Sequence, residues 1–342
     1  MTPGSDSLII APQWLGDALM TEPLLRRLAA RGERLTVGAL AWLAPVYRMM
    51  PQVAEVIEFP FTHGGLQWTA RSLLAQQIKG RFATAYVCPN SFKSALIPFL
   101  AGIPNRLGYT GEARFGLLTR RLENPPRHQR GSMVAFYSAL SGETDLSRDR
   151  PQLRLQSTGI EATLQQLGLH SDAYYVLAPG AEFGPAKRWP AARFTELALS
   201  LNRPVILLGS SKELTLCEEI AAPVNAAQDG KCLNLAGKTS LAQACHVIGA
   251  ASCTVSNDSG LMHVAAALGG KQLAIFGSSS PEHTPPLNDR AHVLWLKNEP
   301  NYQPALDCAP CFERTCRLGH TRCLSDVSAS RVRQGMERLN SI

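Results

Sequence analysis

A lysine in a proline- and glycine-rich loop, and an Asp-Ser-Gly turn ahead of a small-residue helix, are the residues through which the second half of this chain could handle an anion. The turn, Asn257-Asp258-Ser259-Gly260, interrupts an apolar, β-branched run that ends at Val255, and it is made of turn formers and helix caps. Leu261–Leu268 is helical in pattern, with Ala265, Ala266 and Ala267 small enough to pack tightly on a sheet. Lys271–Phe276 is a second apolar strand, so the stretch is a βαβ unit and its strands are expected to be parallel. Ligands of such units sit at the carboxyl ends of the strands, beside the helix N-terminus. Asp258, Ser259, Gly260 and His263 fall there, and free N–H groups at the positive end of a helix suit a phosphate. With Gly277-Ser278-Ser279-Ser280 as the facing loop, Cys253–Pro286 reads as the anion-binding half of a nucleotide site.

The same grammar opens the chain. Leu8–Ala11 is a short buried strand, Pro12-Gln13-Trp14-Leu15-Gly16-Asp17 a turn, and Ala18–Ala30 a helix. The turn is not GxGxxG, so a dinucleotide fingerprint is absent. Asp17 has two readings. It is a helix cap, worth about 1 kcal/mol, or a carboxylate at the mouth of a cleft between domains. On spacing alone the cap is the better reading. Further strands are expected at Leu35–Leu40, Glu55–Phe59, Thr84–Cys88 and Arg106–Tyr109, and helices at Leu66–Lys79 and Ser94–Ala101. Strands alternating with helices argue for a parallel sheet covered on both faces.

The pattern restarts after Leu155–Asp172, which holds a helix and an interdomain link. Tyr174–Ala178 is a strand, followed by Pro179-Gly180-Ala181, Lys187-Arg188-Trp189-Pro190 and a helix from Ala191. Val205–Leu208 ends at Gly209-Ser210-Ser211-Lys212-Glu213, and Leu241–Ile248 is helical. A length of 342 residues exceeds what one core usually organises. The expected architecture is therefore α/β: two Rossmann-like domains facing across a cleft, the usual place for a ligand. Residues 1–170 form the first domain, 171–325 the second, and 326–342 a final segment whose Asp326–Leu339 stretch is an amphipathic helix.

Bulk properties narrow the function classes. The longest apolar run, Ala95–Ile103, is cut by Pro98 and Gly102 and does not reach the length of a membrane span. The N-terminal residues lack a basic segment followed by an apolar core, so no secretion signal is read and the cytoplasm is the expected compartment. Charge is uneven: residues 1–170 carry 18 Lys+Arg against 12 Asp+Glu, a net of +6, and residues 171–342 carry 16 against 15, a net of +1. Nine arginines lie between residues 106 and 154. Most are expected to be solvated, but some could line a groove for phosphate or carboxylate groups. The tail gathers Cys308, Cys311, Cys316 and Cys323, with His320. Four close cysteines in a reducing compartment raise the question of zinc, yet the spacing matches no standard finger or ribbon. Reduced thiols are the better reading, with no metal assigned.

Together these motifs resemble the ADP-heptose–lipopolysaccharide heptosyltransferases of glycosyltransferase family 9. The likeness runs over nearly the whole chain. It rests on Gln13–Asp17, Pro89-Asn90-Ser91-Phe92-Lys93-Ser94-Ala95, Pro179–Pro190, Asn257–His263, and Phe276–Pro281 followed by Thr284-Pro285-Pro286-Leu287. The second to fourth are specific in combination. The resemblance implies a GT-B fold, with the donor on the C-terminal domain, the acceptor on the N-terminal one and a final helix crossing back. It implies an inverting transfer of L-glycero-D-manno-heptose from ADP-heptose to the first heptose of the lipopolysaccharide inner core of Gram-negative bacteria. No cofactor is required for that chemistry. The implied acceptor is a lipid A–Kdo–heptose at the inner membrane surface, so the enzyme is peripheral at most, and no nucleic acid is involved.

The resemblance makes Asp17 the base that an acceptor hydroxyl needs. It makes Lys187 the diphosphate lysine, joined by the N–H groups of Ser259, Gly260 and Leu261, because the leaving ADP gathers negative charge. Asp258 and His263 match the donor motif. Asp258, being anionic, would cap the helix or hold a sugar hydroxyl. His263 would reach the diphosphate if protonated, or else be satisfied in the packing. Glu213 corresponds to a carboxylate on the nucleotide ribose. Lys93, Arg106 and Arg114 are expected to hold the acceptor's acidic groups. The competing readings are a sugar-nucleotide epimerase of GT-B fold, a family 9 heptosyltransferase with another acceptor, and a metal-dependent binding module built on the cysteine tail.

Overall fold

The computed structural model describes residues 6–61, 65–126 and 129–340. Arg127, one of the nine arginines, and the first five residues lie outside the described residues. The chain divides into two compact units, residues 1–154 and 155–342.

In the first unit the elements run β1 (Asp6–Ile10), α1 (Leu15–Met20), α2 (Glu22–Ala30), β2 (Arg34–Leu40), α3 (Ala44–Arg48), β3 (Val53–Phe59), α4 (Trp68–Gln77), β4 (Thr84–Val87), α5 (Phe92–Leu100), β5 (Asn105–Tyr109), β6 (Arg120–Leu122) and α6 (Met133–Ser138). The strands form one parallel six-stranded sheet ordered β3-β2-β1-β4-β5-β6. Burial on both faces explains why the consecutive residues Leu8, Ile9 and Ile10 are all apolar, without alternation. The single helix expected over Ala18–Ala30 is two. Pro23, near the start of α2, has no N–H to continue the α1 ladder, and Thr21 stands at the junction.

The second unit runs α7 (Ser157–Leu167), β7 (Tyr175–Ala178), α8 (Ala191–Ser200), β8 (Val205–Leu207), α9 (Leu214–Ala227), β9 (Cys232–Asn234), α10 (Leu241–Gly249), β10 (Cys253–Asn257), α11 (Gly260–Ala267), β11 (Gln272–Phe276), β12 (Ala291–Trp295), α12 (Arg322–Ser325) and α13 (Ala329–Asn340). Its sheet is again parallel and six-stranded, ordered β12-β11-β10-β7-β8-β9. Both sheets reverse direction beside their first strand, between β1 and β4 and between β7 and β10. That reversal opens the loops on either side of it and marks where a doubly wound sheet binds ligands.

Two boundaries differ from expectation. Residues 155–170 belong to the second unit, because α7 packs on α10 and Thr163 Oγ1 lies 2.8 Å from His246 Nδ1. The final helix, α13, belongs to the second unit and packs on α8, β11 and β12. Its apolar residues Val332, Met336 and Leu339 complete the second unit's own core.

Candidate active site

In the first unit the loop after β1 delivers Asp17 to the third position of α1. The helix N-cap is Trp14, which makes no side-chain cap bond, so Asp17 is not the capping residue. Tyr137, from α6, donates its hydroxyl to Asp17 Oδ1 at 3.0 Å. Burial, then the neighbouring Asp17 charge, raises the Tyr137 hydroxyl well above its ordinary pKa, so it stays a neutral donor. Cys88, pushed up to about 12 by burial and next by Asp17, is likewise an uncharged neighbour. The carboxylate oxygen is thus held in orientation by a group that will not take its proton.

The loop after β4, Pro89-Asn90-Ser91, flanks the same reversal. Arg114 holds it from beneath: Nη1 donates to Pro89 O at 2.7 Å, and Nη2 to Asn90 Oδ1 at 3.3 Å and to Tyr109 O. Arg114 is only 1% exposed, and burial lowers its guanidinium to about 10, still protonated at neutral pH. Arg106 gives Nε to Leu117 O at 2.6 Å and Nη1 to Ile103 O at 2.5 Å. These two guanidinium groups are engaged with backbone carbonyls and, for Arg114, with Asn90 Oδ1, so they shape the loops. Lys93 is different. It is half-buried and lines a small cavity with Gln13, Phe61, Arg71, Pro89 and Ser91, at the carboxyl ends of the strands. Arg71, overlooked in the sequence, donates to Lys93 O at 3.0 Å and lies 4.2 Å over the Phe61 ring. Its only sequence signal is an arginine inside an otherwise ordinary helix pattern.

Arg114→Met should lower the first unit's stability by about 1–3 kcal/mol for each carbonyl left unpaired. Denaturant unfolding would measure it. A variant as stable as wild type would show that water replaces these bonds.

In the second unit the loops after β7 and β10 meet at the reversal. Asn257, fully buried, accepts from Trp189 N at 2.9 Å and donates to Pro179 O at 2.7 Å, fixing the lysine-bearing loop to the end of β10. The next residue, Asp258, is 5% exposed. Its Oδ2 lies 2.5 Å from Lys187 Nζ, and its Oδ1 accepts from Thr284 Oγ1 at 3.1 Å. Burial would raise the Asp258 carboxyl, but the Lys187 charge, among others, offsets that and holds it below the usual carboxylate range. Ser259 is the N-cap of α11 without a cap bond; its hydroxyl and that of Ser278 are buried and unpartnered within the described residues. Gly260 begins the helix, so its N–H and those beside it open the α11 N-terminus.

Burial pushes His263 down to about 4, with Asp258 opposing and Lys187 adding to the fall. The imidazole is therefore neutral at pH 7, which favours the packing reading of His263 over a cation on the diphosphate. Glu213 is 6% exposed, and its Oε2 takes the N–H of Ser210 at 2.9 Å in a capping box. It is wedged between the loops after β7 and β8: a Cβ on Gly180 would stand 2.7 Å from its Cγ. The cysteines Cys308, Cys311, Cys316 and Cys323 are free and half-exposed, and among the described residues no group of three or more His, Cys, Asp or Glu is disposed to hold a metal.

Two doubly wound parallel sheets, each gathering polar side chains at its reversal, define an α/β protein of the GT-B class. The family model of glycosyltransferase family 9 (heptosyltransferase) matches residues 71–322. The chain is 40% identical over 353 residues to lipopolysaccharide heptosyltransferase 2 of Escherichia coli K12, covering 98% of this chain and 97% of that protein. Lipooligosaccharide heptosyltransferase 2 of Haemophilus influenzae is 36% identical over 306 residues, 84% of this chain and 88% of that one. The solved E. coli ADP-heptose lipopolysaccharide heptosyltransferase II superposes with a TM-score of 0.83 at 37% identity, over 98% of each chain. The chain belongs to glycosyltransferase family 9, the heptosyltransferases. The epimerase and binding-module readings find no support among these relatives.

Proposed function

We propose that the chain transfers L-glycero-D-manno-heptose from ADP-heptose to the first heptose of the lipopolysaccharide inner core, with inversion. The names of its relatives support the donor and the acceptor class. The observation that carries the reading is the Lys187–Asp258 pair at the N-terminus of α11, a cation and a row of N–H groups at the switch point of the second unit. Asp17 takes the proton of the acceptor hydroxyl as its oxygen bonds to the anomeric carbon. The bond to the diphosphate breaks, and ADP leaves with the electron pair. Lys187 and the α11 N–H groups meet that charge, so the reading calls for no cofactor. We assign the nucleotide ribose to Glu213, which is buried against the loop after β7. Asp258 orients the lysine, and His263 offers a neutral N–H. Among the described residues no helix is long and apolar enough to cross a membrane, and peripheral attachment at the inner membrane surface fits a lipid-borne acceptor.

The test is incubation with ADP-heptose and a heptosyl-Kdo2 lipid A acceptor, read by mass spectrometry for one added heptose. Addition only to a different core fragment would leave the family and move the acceptor. Release of ADP without any glycosylated product would sink the transfer reading.

Lys93 is the residue we assign to the acceptor's acidic groups. Lys93→Ala should raise the acceptor's KM severalfold and leave the donor's KM within about twofold, with the acceptor effect shrinking as salt shortens a Debye length of about 8 Å. Acceptor kinetics that ignore both the substitution and salt would remove the acceptor from this face.

A further inference from the structure

The segment that carries the clustered cysteines runs across the carboxyl end of the second sheet. At one end Phe312 N donates to Ser278 O at 2.7 Å, in the loop that follows β11. Two residues on, Arg314 O accepts from Ala186 N at 3.1 Å, and Arg314 Nε donates to Phe183 O at 2.9 Å, both in the loop after β7. Strands β11 and β7 are the two neighbours of β10, which delivers Asp258 and the start of α11. Residues 312–314 therefore bridge, from one adjoining loop to the other, the place where Asp258 stands. The approach is close. Gly184 has φ +154°, and a Cβ there would lie 2.5 Å from Arg314 O. A residue other than glycine would be strained and would push the segment away.

The side chain of Arg314 shares an aromatic neighbour with the donor lysine. Its Cζ and Lys187 Nζ each lie 5.5 Å from the centroid of the Phe183 ring, so one aromatic ring gathers two cations. Their charges are not equivalent. Lys187 is already matched by Asp258, and His263 is neutral. A nucleoside diphosphate brings at least two negative charges, so the inner site alone leaves it short of positive charge. Arg314 is exposed, and among the described residues no carboxylate forms an ion pair with it, although Glu313 stands next in the chain. With Nε bound to Phe183 O, the guanidinium keeps its Nη groups for an anion.

We propose that Arg314 is the second cation of the donor half-site, engaging the diphosphate through its Nη groups while its backbone and Nε hold the segment against the loop after β7. The inference rests on the donor assignment above. It makes the cysteine-bearing segment a wall of that half-site.

The test is calorimetric titration of ADP into the full chain, as wild type, Arg314→Ala, Arg314→Lys and Lys187→Ala, each checked for native unfolding. Adenosine, displacing ADP in competition, serves as the phosphate-free probe. Arg314→Ala is expected to weaken ADP about tenfold and adenosine within twofold, the size of a lost charge-assisted hydrogen bond, with Arg314→Lys recovering part of the loss. If Lys187→Ala weakens ADP but Arg314→Ala does not, Arg314 is outside the site and this inference is overturned while the donor assignment stands. If Arg314→Ala weakens ADP and adenosine equally, Arg314 only shapes the loop and the inference is also overturned. If wild type fails to bind ADP, or Lys187→Ala binds it unchanged, the donor assignment itself falls.

Discussion

Asp17→Asn should fold and bind ADP-heptose as wild type does, yet turn over about 10²–10⁴-fold more slowly, the range for losing a positioned general base. The substitution keeps the shape. An amide oxygen still accepts from Tyr137, whose hydroxyl lies 3.0 Å from Oδ1 in the acid. The helix keeps its start, because the N-cap is Trp14 and not Asp17. What goes is the ability to take a proton. The loss should fall on kcat, with donor affinity intact, the signature of an interaction made only in the transition state. Tyr137→Phe supplies a graded control: the carboxylate stays basic but loses one orienting bond, so a smaller loss is expected. A folded Asp17→Asn protein within about tenfold of wild-type turnover would take the base role away from this residue.

Lys187→Ala should weaken ADP and ADP-heptose alike, by about 10- to 100-fold, and slow turnover as well. Two effects add. The diphosphate loses a point charge, and Asp258, 5% exposed, loses the partner 2.5 Å away that neutralises it. A buried carboxylate without a partner costs more than the bond itself and repels the incoming phosphates. This gives a double-mutant cycle with a definite sign. Asp258→Asn on top of Lys187→Ala should restore part of the ADP affinity, because it removes the orphaned charge. Unchanged ADP affinity in the single variant would move the lysine to a surface role; a double variant worse than the single would mean that Asp258 touches the ligand directly.

Local patterns made much of this molecule legible. The apolar run to Val255, the Asn-Asp-Ser-Gly turn and the alanine-rich helix place β10, α11 and β11 within a residue or two of where they stand. The restart at Tyr174 gives the second sheet for the same reason. What stayed hidden was tertiary. Tyr137 meets Asp17 across 120 positions of sequence, and no local periodicity announces such a pair. Arginine composition pointed to the right half of the chain, yet Arg106 and Arg114 turned out to bond carbonyls, since composition does not say which guanidinium groups are enclosed. The limits of the second unit were misplaced because α7 and α13 are amphipathic helices whose partners sequence cannot name. Thr284, quoted among the motifs without a role, reaches Asp258 only because the loop after β11 folds back.

The nine cysteines differ in thiol chemistry, Cys323 of the tail being raised to about 11 by burial like the core ones, and this gives the protein a built-in reporter. Cys88, Cys217, Cys232, Cys245 and Cys253 are buried, and burial above all pushes each thiol up to about 12, so at neutral pH they offer almost no thiolate. Cys316 goes the other way. Burial works to raise it, but the N–H groups of Thr321, Leu318, Gly319 and His320 hold it below the ordinary thiol value. A maleimide dye at neutral pH would therefore settle on the tail, with Cys316 foremost, without any engineered attachment point. Its fluorescence would read the surroundings of the segment that is bonded to the loops after β7 and β11, in the unaltered chain.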